Sequence, residues 1–239
     1  MKLLVDLHTH TVASGHAYST IMEMAKVAKD KGLKAIAVTD HGPAVPGGAH
    51  PYHFWNLRIV PKEIYGIRIF KGVEANIVNS KGRLDLEDEL LESLDVVLVA
   101  FHARCGYDDM GVVKNTKSMI AAIKNPFVKV VAHPGNPSFP IDACEIVAAA
   151  KEYGVLIELN NSSLLTTTSR FGSYESCLAI TTEAYEAGLD VVLASDAHIA
   201  SAVGNFNEAI NLAQKVGFTK ERIANSSVDK ILKFLKIGY

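Results

Sequence analysis

Short apolar runs alternate with longer amphipathic ones along the whole chain. Leu3-Leu4-Val5 reads as a buried strand, and Ser19 to Lys31 then places Ile21, Met24, Ala25 and Ala28 at helical spacing before a Gly32 stop. The alternation continues, with predicted strands over 35–41, 67–74, 95–102, 128–133, 155–160 and 190–198. Predicted helices cover 84–94, 112–124, 141–153 and 175–187, and two more, over 205–216 and 228–235, close the chain. A long polar loop with Gly47, Gly48, His50 and His53 separates the second and third strands, and its Tyr52, Phe54 and Trp55 read as a packed flap.

Seven strands with helices between them, one unit per roughly thirty residues, point to parallel strands with crossover helices. The strands are continuously apolar, as strands covered on both faces are. Even spacing favours a closed or nearly closed barrel over an open doubly wound sheet, and the first strand–helix turn lacks GxGxxG. The expectation is α/β: a distorted seven-stranded (β/α)7 barrel, one domain over residues 1–239.

Composition narrows the function. The net charge is −2 and no Lys/Arg block exceeds two residues, which argues against a long nucleic-acid partner. Cys105, Cys144 and Cys177 lack CxxC spacing, so neither a disulfide framework nor a cysteine–zinc site is indicated, and reduced thiols fit a cytoplasmic location. Asp6 interrupts any signal-peptide apolar region, and no apolar run approaches the ~18 residues of a membrane span. There are no coiled-coil heptads, and homo-oligomerisation is left open.

The chemistry gathers where the predicted strands end. Asp6-Leu7-His8-Thr9-His10 follows the first strand, and strand alternation would project His8 and His10 together. Neutral imidazole is the commonest protein ligand for zinc. The other strand ends carry His41, Glu74, His102, His133 and Asp196 with His198, and His16 lies in the first loop. In βα barrels this rim assembles the active site. Nine candidate ligands are too many for one tetrahedral ion and fit two or three ions sharing a carboxylate, with Glu74 the best bridge. Three divalent ions against two carboxylates leave about four positive charges, which favours a phosphate ester; closely spaced ions can hold a bridging hydroxide as nucleophile.

Asp6-Leu7-His8-Thr9-His10, Thr39-Asp40-His41, Gly72-Val73-Glu74, Phe101-His102, His133-Pro134-Gly135-Asn136-Pro137 and Ser195-Asp196-Ala197-His198 together resemble the motif set of the polymerase-and-histidinol-phosphatase (PHP) superfamily. The match runs over nearly the whole chain. The stretch from His133 to Pro137 and Glu158-Leu159-Asn160-Asn161-Ser162-Ser163 further resemble its YcdX-type phosphatases. The resemblance implies a distorted seven-stranded barrel with a trinuclear zinc site. It places His8, His10, Glu74 and Asp196 on one metal, Glu74, His102 and His133 on a second, and His16, His41 and His198 on the third. Imidazole-rich shells suit three Zn2+ ions, with Mn2+ or Fe2+ as alternatives.

Other residues carry less. His50 and His53 could close over substrate or protonate a leaving alcohol, although loop histidines are solvated by default. Arg104 could clamp a phosphate or sit on the surface, and Arg170 has a weaker claim. Asn160, Asn161 and Ser162 could bond phosphate oxygens or cap the turn. Asp6 and Asp40 could orient imidazoles, and Cys105 reads as a bystander.

The leading expectation is a phosphomonoesterase acting on a small phosphorylated molecule. Its rivals are a phosphodiesterase or exonuclease, a histidinol phosphatase, and a catalytically silent metal-binding regulator. An amidohydrolase shares the His-x-His opening but adds a bridging lysine that no strand end here supplies.

Overall fold

Helices start and stop where side chains supply the caps. Thr20 and Glu23 form a reciprocal capping box, Asp142 accepts from the Glu145 N–H, and Gly154 ends the helix that Asp142 begins, at φ 69°. The computed structural model describes residues 1–238; Tyr239, the end of the expected domain, lies outside them.

The first elements are Val5–Asp6 (β1), Ile21–Asp30 (α1), Ala35–Val38 (β2), Pro51–Asn56 (α2), Glu63–Ile64 (β3) and Ile67–Asn76 (β4). Then come Asp88–Glu92 (α3), Val96–Ala100 (β5), Val112–Ile123 (α4), Val128–Val131 (β6), Ala143–Tyr153 (α5) and Leu156–Asn160 (β7). Ser173–Glu186 (α6), Val191–Ala194 (β8), Asn207–Val216 (α7) and Val228–Leu235 (α8) complete the set. Parallel pairing runs β1-β2-β4-β5-β6-β7-β8, the seven-stranded (β/α)7 barrel expected from the alternation. β4 is the hub: residues 68–71 pair with β2 and residues 72–76 with β5. The switch falls at Gly72, where a Cβ would stand 2.5 Å from the Val96 carbonyl oxygen.

Residues two apart along each strand share a face, and the apolar side chains sort accordingly. Val5, Ala35, Ala37, Phe70, Leu98, Val130, Leu156 and Val192 fill the lumen. Ile36, Val38, Ile69, Val97, Val131, Ile157 and Leu193 pack beneath the helices. From α8, Ile231, Leu232 and Leu235 join the lumen cluster and close one mouth.

Two expectations change locally. The loop after β2 contains α2 and the β3–β4 hairpin, with Glu63 opposite Arg68 and Ile64 opposite Ile67. A six-residue helix started by Pro51 is too short to show a period. Of the flap aromatics only Phe54 is buried; Tyr52 and Trp55 are exposed. The helix expected over 84–94 shrinks to α3, because Leu84 instead bridges antiparallel to Ile77 and Leu84 and Leu86 turn into the core. Among the described residues no helix is long and apolar enough to cross a membrane.

Among the described residues no ladder forms between β1 and β8. One bridge, Thr9 to Ala197, joins them at the site end. At the other end the segment around Asn225 occupies the gap. The Asn225 Nδ2 donates to the carbonyls of Val5 and Leu193, both at 2.7 Å, and its Oδ1 accepts from the Leu193 N–H at 3.1 Å. Its main-chain oxygen accepts from the Leu4 N–H, and Ile223 bridges to Val191. Asn225→Ala therefore strands buried backbone groups on two strands. The expected cost is about 3 kcal/mol, read as a lower urea midpoint at unchanged slope.

Candidate metal centre

Strand alternation delivers most of the site. Continuing the lumen-facing beat of Ala35 and Ala37 reaches His41, and that of Phe70 reaches Glu74. In the same way Ala100 leads to His102, Leu156 to Glu158 and Val192 to Asp196. β1 ends at Asp6, so His8 and His10 come from the irregular segment beyond it, pinned by the His10 N–H to the Ala197 carbonyl at 2.8 Å. His133 and Asp196 adopt φ of 31° and 54°, left-handed values costly for these residues and typical of strained sites.

Glu74 sits at the centre, fully buried. Its Oε2 lies 2.8 Å from His41 Nδ1, 3.3 Å from His8 Nε2 and 3.5 Å from His10 Nε2. Its Oε1 lies 2.6 Å from His133 Nε2 and 3.3 Å from His102 Nε2. Asp196 Oδ1 is 3.2 Å from His10 Nε2, and the Nε2 atoms of His16 and His198 face each other at 3.1 Å. The nine residues read from the strand ends and first loop thus meet in one cluster.

The donor set fits a cation. Six buried atoms of this cluster make no hydrogen bond: His8 Nε2, His10 Nε2, His41 Nδ1, His102 Nε2, Glu74 Oε2 and Asp196 Oδ1. They lie close to one another but misaligned for proton sharing. Each such orphan costs about 1–3 kcal/mol, a penalty that a shared cation removes. Three overlapping triads, His10/His41/His198, His8/His10/Glu74 and His41/Glu74/His102, offer ligand atoms within 4.8 Å of one another.

Surrounding side chains fix which nitrogen is offered. His8 Nδ1–H donates to Glu158 Oε1 at 2.7 Å, and His102 Nδ1–H to Asn76 Oδ1 at 2.7 Å. Asn76 is itself oriented by its Nδ2 donating to Asp85. His198 Nδ1–H donates to the Asp196 carbonyl at 3.0 Å. His10 Nδ1–H reaches Ser14 Oγ at 3.3 Å, and Ser14 donates to Asp40 at 2.6 Å. In all four rings the Nδ1 proton is committed to a partner and Nε2 is the nitrogen turned to the cluster, the arrangement found behind metal-ligating histidines.

Burial, reinforced by His41, pushes the pKa values of His10 and His16 down. Burial likewise lowers His102 against the pull of Glu74, so these rings stay neutral and ligand-ready. Burial would also lower His8, but Glu158, Glu74 and Asp196 outweigh it and hold its pKa well above the ordinary value. Burial would raise Glu74 and Asp196; the imidazoles around both, with Arg170 beside Asp196, hold them well below the carboxylate range.

The loop residues go elsewhere. His50 is exposed and caps α2, its Nδ1 accepting from the Tyr52 N–H at 3.1 Å. His53 Nε2 stands 3.3 Å from Asp40 Oδ2, behind the cluster. Arg104 is exposed on a turn at φ 65°, and Asn161 Oδ1 caps α7 by accepting from the Glu208 and Ala209 N–H groups. None of the four lines the cavity of about 540 Å³ above the cluster. Asp6 orients no ring: it accepts from Ser195 and the Gly204 N–H, anchoring the turn before Asp196. Asp40 acts on His10 only through Ser14, and its hydrogen bonds hold its pKa at about 2 despite burial. The Cys105 thiol is buried and pushed up to about 12 by desolvation, inert as expected.

Sequence reading gave Glu158 and Asn76 no role and Arg170 little weight. Glu158 and Asn76 were detectable as polar residues on the lumen-facing beat of apolar strands. Arg170 reaches the site from a loop, its Nη1 3.1 Å from Asp196 Oδ2 and 3.2 Å from Ser163 Oγ.

Fold and site together define the class: a βα barrel with an imidazole-rich cation site at its rim. The PHP domain matches residues 6–237. The chain is 49% identical over 236 residues to a protein of Caldanaerobacter subterraneus subsp. tengcongensis named a probable phosphatase, covering 99% of this chain and 92% of that protein. A like-named protein of Thermoanaerobacter sp. is 48% identical, over 99% of this chain and 96% of its own length. A solved histidinol phosphate phosphatase from Lactococcus lactis, complexed with zinc, L-histidinol and phosphate, shares the fold at TM-score 0.65 and 18% identity, covering 90% of this chain and 94% of that one. This chain belongs to the PHP family.

Glu158 also accepts from the His133 N–H at 2.6 Å and from Asn160 at 3.0 Å, so one carboxylate braces two imidazole-bearing segments. Glu158→Gln is expected to weaken zinc affinity about 10–100-fold, measured against a competing chelator, with the far-ultraviolet circular dichroism unchanged.

Proposed function

We propose that the chain is a metal-dependent phosphomonoesterase that hydrolyses small phosphorylated molecules with three divalent ions at the barrel rim. It is a phosphoric ester hydrolase. The observation that carries the reading is the set of six unpartnered buried donor atoms beneath an open cavity, in a chain whose relatives are named probable phosphatases.

His8, His10, Glu74 and Asp196 would hold one ion, Glu74, His102 and His133 a second, and His16, His41 and His198 the third. Imidazole nitrogen suits zinc. When bound, the ions lower the pKa of water to make a nucleophile and neutralise charge on the phosphate oxygens. The chain supplies orientation. Glu158 and Asn76 keep protons on the Nδ1 atoms of His8 and His102, so that Nε2 faces the cluster. Arg170 lines the cavity and is anchored by Asp196, leaving further N–H donors to orient a phosphate. It is the only lysine or arginine in the lining among the described residues, too little charge to track a polynucleotide, which favours a monoester over a nuclease substrate.

With zinc loaded, p-nitrophenyl phosphate should be hydrolysed. His41→Ala and Glu74→Ala should each cut kcat/KM by more than the ~10–100-fold that loss of an outer partner costs. Turnover confined to bis(p-nitrophenyl) phosphate would replace this reading with a diesterase, and full metal loading without turnover would replace it with a regulator.

Metal uptake has a pH signature. His8 holds a proton because three carboxylates face it, and an ion taking Nε2 must displace that proton. Binding therefore releases protons, and affinity rises with pH. Calorimetric titrations in two buffers of different ionisation enthalpy should show about one proton released from this ring.

A further inference from the structure

The cavity wall above the cluster is lined by groups of one kind. Asn136, Ser138, Ser162, Thr167, Thr168 and Ser169 ring it, with Val45 and Phe139 as an apolar side. Among the described residues no hydrogen bond engages the hydroxyls of Ser138, Ser162, Thr167 and Ser169, which leaves them for a ligand. Among the described residues the sole acid in the lining is Asp196, whose Oδ2 is hydrogen-bonded and whose Oδ1 is turned into the imidazole cluster, away from the wall. Oδ1 faces His8 and His10, and Oδ2 accepts from Arg170 and Asn160.

We propose that this site takes phosphate esters of uncharged, hydroxyl-bearing alcohols, sugars or polyols, and discriminates against esters of amino alcohols; the inference rests on the phosphatase reading above. An ammonium group entering the cavity would give up part of its hydration and meet Arg170 with no carboxylate on the wall to receive it. A sugar hydroxyl exchanges water for side-chain hydroxyls and amides, each able to donate and accept. The lining hydroxyls and amides are half-buried or exposed, so they discriminate through the hydrogen bonds they offer a polyol and through the want of a carboxylate for an amine. About 540 Å³ is also room for a phosphosugar. Histidinol, with its ammonium and imidazole, is the kind of leaving alcohol this wall excludes.

The zinc-loaded full chain should be assayed on D-ribose 5-phosphate, O-phosphoethanolamine and histidinol phosphate, with p-nitrophenyl phosphate as the reference. The sugar phosphate should exceed both amine esters in kcat/KM by at least about tenfold. Calorimetry gives a readout independent of turnover: the phosphonate isostere of ribose 5-phosphate should bind at least about tenfold tighter than 2-aminoethylphosphonate. Ser138→Asp, which adds an acid to the rim, should shift the kcat/KM ratio toward O-phosphoethanolamine. Equal or preferred hydrolysis and binding of the amine compounds overturns the inference while leaving the phosphatase reading intact. No turnover of any substrate, p-nitrophenyl phosphate included, would remove both.

Discussion

A single buried carboxylate, Glu74, surrounded by the imidazoles of His8, His10, His41, His102 and His133, sets the terms for the rest of the molecule. An ionised carboxylate without solvent exposure is tolerated only where neighbouring groups or a cation balance it. The imidazoles come from four separate strand ends, so their convergence depends on register being held around the whole barrel. Fixed alternation along β2, β4 and β5 achieves that: apolar residues fill the lumen in the body of the barrel, and His41, Glu74 and His102 take the same face at the rim. Glu158 behind His8, Asn76 behind His102 and Ser14 behind His10 then decide which nitrogen those rings present.

The barrel divides its labour by depth. One mouth is sealed by apolar side chains of α8 and the middle is packed by the strands, so stability concentrates away from the chemistry. The other mouth carries strain at His133 and Asp196 together with the unmet donors. Placing left-handed backbone and orphaned nitrogens at the same rim is the expected signature of a site whose final component is a bound ion.

Much of this was legible in the residues. Continuous apolar strands and amphipathic helices mark seven parallel units, and polar residues at the strand ends mark the rim. What stayed hidden involves either short elements or contacts distant in sequence. α2 and β3 are too short to show a period, and Leu84 leaves its helical pattern for a bridge to Ile77 that only the folded core dictates. His50 and Asn161 look like site residues by neighbourhood, yet His50 caps the helix it precedes and Asn161 caps α7, 47 residues further on, a contact that only the folded chain creates. Arg170 enters through a loop whose path no periodicity encodes.

The seam at Asn225 bears on how the chain is made. The contact that fastens β1 to β8 spans 220 residues, so loop-closure entropy against it is near the largest this chain can present. During synthesis the first strand emerges well before Asn225 and lacks this fastening until that segment has left the ribosome. The cation pocket, which needs both His8 and Asp196, therefore cannot assemble around the first strand alone and waits for residues from both sides of the seam.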